Sequence, residues 1–268
     1  MKTYRPLKDN YLTQRFAENA ACARLGTDGK VERPFIIKGK TGASCPVGWT
    51  DFYTAIGMTG HPGEDWYAPR GTQVYFDVDI PGMRWWGRVE WDDAQGMNMD
   101  IFSLDPVPFE ALPKEATQLV RQEWERLGGK VHIKRRFTHG YKAFLEDKPL
   151  VQVGVFSDGR PEMRPEIKLG DLVMLADNTG ASAGDHLHRA LKFCTKNSMT
   201  IGADNGFLGA FDETPYFDNR FVLDVLGNKP VSTAERLEAL ARQYELEGKH
   251  KEAGWIRAII KVVVAFGG

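Results

Sequence analysis

A histidine and a carboxylate four residues apart, His61 and Asp65 in the run Gly60-His61-Pro62-Gly63-Glu64-Asp65, precede by more than a hundred residues two histidines that flank one leucine, His186-Leu187-His188. Imidazoles with a carboxylate form a ligand set that holds Zn²⁺ and leaves a coordination position for water. Taken singly, both patterns are weak, since most HxH pairs sit on strands as packed or surface histidines. Together they point to a zinc-dependent hydrolase.

The elements around these residues must bring them to one place. In an extended strand successive side chains point to opposite faces, so His186 and His188 share a face while Leu187 points into the core. One of the two can then bind metal while the other works beside it. Pro62 and Gly63 disfavour a helix between His61 and Asp65, so this piece reads as a turn entering a strand. Asp185 and Glu64 adjoin these residues and are candidates to orient a ligand histidine, an exposed charge being the equal alternative. Gly180 and Gly184 serve the turn that feeds the HxH strand, and no P-loop or GxGxxG pattern supports a nucleotide.

The chain of 268 residues is 42% hydrophobic, enough for a sizeable core, and its formal net charge of -1 advertises neither nucleic acid nor an anionic membrane as partner. Cys22, Cys45 and Cys194 are too few for a disulfide framework. A Cys22–Cys45 bridge is one alternative, and reduced thiols are the expectation. The first residues lack the apolar core of a signal peptide and no run reaches the length of a membrane span, which implies synthesis in the cytoplasm. Nothing in the sequence sets an oligomeric state.

Apolar residues on either side of Pro81-Gly82 suggest a hairpin over Gln73 to Val89. Trp85, Trp86 and Trp91 within and just beyond it read as core packing ahead of an aromatic substrate wall. Residues 22 to 50 show no periodicity and read as a long surface loop. Ala116, Leu119, Val120, Trp124 and Leu127 recur at helical spacing with Gly128-Gly129 as a stop, an inserted helix at about 106–129. Lys130 to Phe137 and Tyr141 to Glu146 read as two strands around a Thr138-His139-Gly140 turn. From Ser232, a capping-box start with Glu235, two amphipathic segments separated by Gly248 form a helical hairpin. The expected domains are 1–227 and 228–268, the second read as an appendage ahead of a wall-binding or oligomerising module.

Two stretches carry a family resemblance. The run from Gly60 to Tyr75, with Ala68-Pro69-Arg70-Gly71-Thr72-Gln73-Val74-Tyr75 after the ligand pair, is similar to the HxGxD…AP.GTPVYA signature of the lysostaphin-type (LytM) zinc endopeptidases, peptidase family M23. Asn178-Thr179-Gly180-Ala181-Ser182-Ala183-Gly184-Asp185-His186-Leu187-His188 resembles that family's GNTG.STG.HLHF. The opening Tyr11 to Asn19 and the closing Asn205 to Phe217 resemble segments of phage-type members, so the resemblance spans about residues 11 to 218. It implies a mainly β (α+β) fold, an antiparallel β-sheet groove carrying the inserted helix and the C-terminal helical hairpin.

The resemblance also implies roles. His61, Asp65 and His188 match the three zinc ligands, and His186 matches the histidine that takes a proton from the metal's water. The implied activity is hydrolysis of a peptide bond in peptidoglycan stem or cross-bridge peptides, reached by phage lysis or on a virion in the absence of a leader. Relatives carry a second catalytic histidine in a YxHL strand, and aligning Tyr141-Lys142-Ala143-Phe144-Leu145 with it places Phe144 at that histidine. The departure leaves a catalytically degenerate peptidoglycan- or partner-binding protein as the alternative. His139 is the first candidate to substitute, with His132 beside it as a further one, and His250 reads as solvated surface.

Overall fold

The computed structural model describes residues 1–19, 21–27, 31–37, 45–93, 95–108, 125–180, 184–227 and 254–258, with backbone alone at 31–37, 21 and 25. The described chain is mainly β. Its strands are β1 (Lys2–Arg5), β2 (Leu12–Gln14), β3 (Ala21–Leu25), β4 (Val31–Ile37), β5 (Thr50–Asp51), β6 (Glu64–Tyr67), β7 (Gln73–Tyr75) and β8 (Val78–Asp79). They continue with β9 (Trp85–Asp92), β10 (Gly96–Ser103), β11 (His132–Ala143), β12 (Leu150–Val155), β13 (Pro161–Ile167), β14 (Leu172–Ala176), β15 (His186–Cys194) and β16 (Phe217–Phe221). A ten-stranded sheet runs β12-β13-β9-β10-β11-β15-β6-β2, with β14 pairing β11 and β7. All its pairs are antiparallel, whereas β1 pairs β16 in parallel in a small second sheet with β8.

The centre of the large sheet is buried on both faces, and the two faces differ in chemistry. On one, Met99, Ile101, Ile133, Phe137, Leu187 and Leu191 form the apolar core. On the other, the alternate residues are polar or charged: His186, His188 and Lys192 from β15, Thr138, Arg136 and Lys134 from β11, Asn98 and Asp100 from β10. Period-two alternation therefore sorts packing to one side and chemistry to the other.

The core face also holds two fully buried arginines. Arg135 donates to both carboxylate oxygens of Glu213 at 2.6 Å and to Asp77 at 2.9 Å. Arg189 donates to Glu64 at 2.6 and 2.9 Å, to Asp77 at 2.7 Å and to the Tyr4 carbonyl at 2.7 Å. Buried charges persist only when paired and hydrogen-bonded in this way. Burial pushes the Asp77 carboxyl up to about 6 against the pull of Arg135 and Arg189. Burial works on Glu213 too, but the same two guanidiniums overcome it and hold that carboxyl at about 2.

Several sequence expectations change. No hairpin forms across Pro81-Gly82: β7 pairs β14, β8 pairs β1 and β9 pairs β10 and β13, so the segment passes between sheets. Trp85 and Trp86 are buried, as core packing requires, while Trp91 is exposed. Residues 22 to 50 hold a three-stranded sheet, β4-β3-β5, in place of a loop. Cys22 and Cys45 are joined in a disulfide and only Cys194 is a free thiol, which corrects the expectation of reduced cysteines. The reason is a non-local pairing: Cys22 lies opposite Asp51 across β3 and β5, which brings it near Cys45, six residues before Asp51. The inserted helix falls mostly on 109–124 and the tail mostly on 228–253 and 259–268, outside the described residues; 254–258 are helical.

The chain divides into two compact units, Met1–Val222 and Leu223–Gly268. Among the described residues no helix is long and apolar enough to cross a membrane.

Candidate metal centre

Strand pairing builds the centre. β15 lies antiparallel to β6 with His188 directly opposite Asp65 and His186 opposite Tyr67, and cross-strand partners share a face. His61 comes from the loop before β6, which is tied down where Ala17 N–H donates to the His61 carbonyl at 2.9 Å and His61 N–H to the Glu18 carbonyl at 3.3 Å. The result is a close triangle. His61 Nε2 lies 3.0 Å from His188 Nδ1 and 3.2 Å from Asp65 Oδ1, and His188 Nδ1 lies 2.9 Å from Asp65 Oδ1.

These residues fit zinc. Ligand bonds of about 2.0–2.1 Å in a tetrahedron put donor atoms roughly 3.3 Å apart, close to all three edges. His61 Nδ1 donates to the Arg15 carbonyl at 3.2 Å, which fixes the tautomer with its lone pair on Nε2, toward the other two. Burial pushes the His188 imidazole down to about 4, and the charged forms of its histidine neighbours oppose a proton there as well. Burial alone would raise Asp65, but His61 and His188 hold it well below the usual carboxylate range. His61 is drawn down by burial, yet Asp65 beside it raises it overall. A neutral His188 ring and an ionised Asp65 carboxylate are the states a divalent cation needs, and the proton that Asp65 favours on His61 is the one that a cation must displace.

Two further histidines border the triangle. His186 Nδ1 donates to the Gly184 carbonyl at 2.8 Å, and its Nε2 lies 3.7 Å from Asp65 Oδ1. The His139 ring stands 4.5 Å from that of His186, centroid to centroid, and its Nδ1 donates to the Thr179 carbonyl at 2.6 Å. Burial lowers the His139 pKa, and His186 lowers it further.

His139 reaches this position through an irregularity. The Thr138-His139-Gly140 stretch is not a turn between two strands but the interior of the single strand β11. There the pairing to β10 shifts register between Met97 and Met99, and His139 takes a left-handed φ of 64°. Its N–H leaves the ladder for the Gln95 carbonyl, while its own carbonyl accepts from Asp177. A bulge re-aims a side chain at the price of local strain, and here it brings the ring beside His186. Phe144 lies one residue past the strand, with its N–H on the Val173 carbonyl and its ring against the Lys142 ammonium. His139, the first candidate to substitute for the histidine that the alignment leaves out at Phe144, is the one whose ring stands beside His186.

The other candidates are not in the centre. Glu64 faces the core, accepting from Arg189 and from the Trp66 indole, so it orients no ligand ring. Asp185 accepts from the Arg70 N–H at 3.4 Å. His132 sits at the far end of β11, paired opposite Cys194, with its ring against the Ser103 carbonyl. His250 lies outside the described residues. Sequence reasoning missed Tyr53, whose ring packs 5.6 Å from that of His61; no spacing rule would have flagged it.

Gly63 explains part of the motif. A Cβ there would lie 2.3 Å from the Arg189 carbonyl oxygen and 2.8 Å from the His188 ring. Neither neighbour can yield without moving β15. Gly63→Ala is accordingly expected to weaken zinc binding by at least about 10-fold, the scale of disturbing a ligand's support, as read by competition with a chromogenic chelator. Unchanged affinity would mean that the loop and β15 separate freely.

No protein-family model matches the chain, and no curated protein does. Solved structures similar to it are zinc or M23-type peptidases at low identity. A zinc-containing peptidase from Vibrio cholerae is 17% identical with a TM-score of 0.34, over 76% of this chain and 40% of that one. The chain thus spans well under half of that protein's length. The catalytic domain of the antimicrobial peptidase lysostaphin from Staphylococcus simulans is 12% identical with a TM-score of 0.29, over 59% of this chain and 79% of that one. A mutant catalytic domain of the prophage-encoded M23 protein EnpA from Enterococcus faecalis is 18% identical with a TM-score of 0.29, over 54% of this chain and 77% of that one.

Proposed function

We propose that the protein is a zinc-dependent endopeptidase that hydrolyses a peptide bond in peptidoglycan stem or cross-bridge peptides. The observation that carries this reading is the convergence of His61 Nε2, Asp65 Oδ1 and His188 Nδ1 beside the paired rings of His186 and His139. Zn²⁺ held by the first three supplies an acidified water and polarises a carbonyl oxygen.

The chain's own residues do the rest. His186, with Nδ1–H anchored on Gly184, presents Nε2 toward the triangle and accepts a proton there, then returns it to the departing amine. His139, with Nδ1–H anchored on the Thr179 carbonyl, is held at the same side; only as an imidazolium, protonated also at Nε2, would it donate a hydrogen bond to the oxygen that gathers charge, and the burial that lowers its pKa means that the developing charge must draw that proton on. The degenerate alternative drew its support from a missing second histidine, and the His139 ring beside that of His186 supports the peptidase reading over it.

The test is release of new amines from purified cell walls of several bridge types by the zinc-loaded protein. His139→Ala is expected to retain zinc and lose about 10²–10³ in turnover, the usual loss for one such donor. Zinc-loaded protein that releases no amine from any wall would favour a binding protein over a peptidase.

A further inference from the structure

We infer that Tyr11 and Tyr67 form a platform for a sugar ring of the wall glycan, beside the metal centre, and that the bond cut lies in the stem peptide within about three residues of that sugar. The inference rests on the peptidase reading and deepens it, because the stem peptide is joined to the glycan and the cross-bridge is not.

Strand register places the platform. Burial alternates along β6, with Glu64 and Trp66 inside and Asp65 and Tyr67 on the face of the metal centre. Tyr67 lies directly opposite His186 on β15, so the two side chains are cross-strand neighbours. On the other side of β6, Tyr67 N–H donates to the Tyr11 carbonyl at 3.0 Å, just before β2, the edge strand of the large sheet. The Tyr11 ring stacks on that of Tyr67, with centroids 5.2 Å apart and planes within 16° of parallel. His139, His186, Tyr67 and Tyr11 thus make one row from β11 to the edge of the sheet.

This row is open to solvent where the platform stands. Tyr11 is 61% and Tyr67 42% exposed, and the side chain of His186 is 20% exposed, so a ligand lying on the tyrosines can also reach the catalytic ring. Two contacts hold the pair in place from below. The Asn10 amide donates to the Tyr67 carbonyl, and the Thr13 hydroxyl donates to the Asp65 carbonyl at 3.0 Å. Exposed aromatic surface grouped in this way marks a binding site, as scattered apolar residues do not.

The chemistry of the platform selects its occupant. Asn10-Tyr11-Leu12-Thr13-Gln14 carries no charged side chain, so this run offers nothing to a carboxylate or an ammonium group. Charge gathers instead around Arg70, which pairs with Asp177 at 3.6 Å and whose N–H donates to Asp185 at 3.4 Å. Tyr141 is a further exposed ring, but the Arg70 guanidinium already covers it, 5.1 Å from its centroid. Of the two parts of peptidoglycan, the stem peptide carries carboxylates and an amine, whereas the sugars are neutral rings with apolar C–H faces and polar rims. A tyrosine ring is divided in the same way, with an apolar face and a hydroxyl at its edge.

Distance then chooses the bond. Neighbouring strands lie about 4.8 Å apart, so Tyr11, two strands from His186, stands about 10 Å from it, which an extended peptide covers in about three residues. The first bonds of the stem meet that limit. A cross-bridge, separated from the sugar by the stem, does not.

The experiment uses the full chain loaded with zinc, a stem peptide bearing its disaccharide, the same peptide ending at the lactyl group without the sugars, and a sugar-free cross-bridge peptide. Wild type is expected to prefer the disaccharide form of the stem over the lactyl form by about 10-fold in kcat/KM, mainly through KM, with mass spectrometry placing the cut within about three residues of the sugar. Tyr11→Ala should bring that ratio near to one while zinc content holds, and Tyr11→Trp should preserve it. Equal kcat/KM for the two stem forms in wild type, a preference that survives Tyr11→Ala, or fastest cleavage of the cross-bridge peptide would overturn the platform and leave the peptidase reading intact. If no substrate is cleaved, the peptidase reading fails on its own. Calorimetry of the two stem forms on wild type and Tyr11→Ala then decides the platform. Tighter, Tyr11-dependent binding of the disaccharide form supports it, and equal binding sinks it.

Discussion

His188→Ala is expected to strip the metal and abolish hydrolysis, whereas His186→Ala should keep the metal and still lose most of the activity. His188 Nδ1 is one corner of the triangle, and with it gone His61 and Asp65 offer two donors to an ion that needs three protein ligands. Losing a direct ligand should cost well over the roughly 100-fold that a supporting residue costs in affinity. His186 Nε2 lies beside the triangle and forms no corner of it, so its removal leaves zinc content near one per chain and lowers kcat by about 10²–10⁴. Elemental analysis after dialysis, paired with amine release, reads both. Stoichiometric zinc in His188→Ala would show that the ligand set is wrong, and zinc lost from His186→Ala would make that ring a ligand.

The largest stability effect should come from Arg189, which touches no substrate. Arg189→Met leaves Glu64 without a guanidinium and Asp77 with Arg135 alone, and the cost of stranding a buried partner is about 3–5 kcal/mol. For a chain of this size that lowers the thermal midpoint by about 10 °C. Arg160→Met, which removes an exposed pair with Asp158, should leave the midpoint where it is. A midpoint unmoved by Arg189→Met would mean that the network is compensated elsewhere. The network also leaves a pH signature. Glu213, held at about 2, contributes stability that is present above its unfolded value of 4.5 and is lost as pH falls toward 2. Asp77, raised to about 6 from 3.8, acts in the opposite sense, and its charged form costs stability as pH rises between those values.

Much of the centre was legible because its determinants are local. His186 and His188 share a face by strand alternation alone, and Pro62-Gly63 excludes a helix between His61 and Asp65. The mainly antiparallel β fold was legible through the two motif stretches around these residues, more than through periodicity, which misread Pro81-Gly82 as a hairpin turn. His139 was a weaker matter: only an extra residue in β11 turns it toward His186, and a bulge leaves no mark on hydrophobic periodicity. The alignment over Tyr141 to Leu145 put Phe144 at the histidine and left His139 as a candidate to substitute for it. The Cys22–Cys45 bridge depended on how β3 meets β5, a long-range pairing that three cysteines in 268 residues do not announce. Nothing local in the sequence marks Arg135 and Arg189 as buried, because the carboxylates that neutralise them come from Glu64, Asp77 and Glu213, scattered over the chain.

The alternation along β15 also bears on how the chain finds its fold. A slip of one residue against β6 and β11 would exchange the two faces. Arg189 would then meet His61 and Asp65, and His188 would enter a pocket of carboxylates built for a guanidinium. Leu187 and Leu191 would turn toward Asp100 and Lys134. A strand of plain apolar residues would lose little by such a slip, but this one would lose its ion pairs, its core and its metal centre at once. The charges that look like a burden on a central strand thus act as a lock on its register, and the arrangement that can bind zinc is also the one that the folding chain has least freedom to miss.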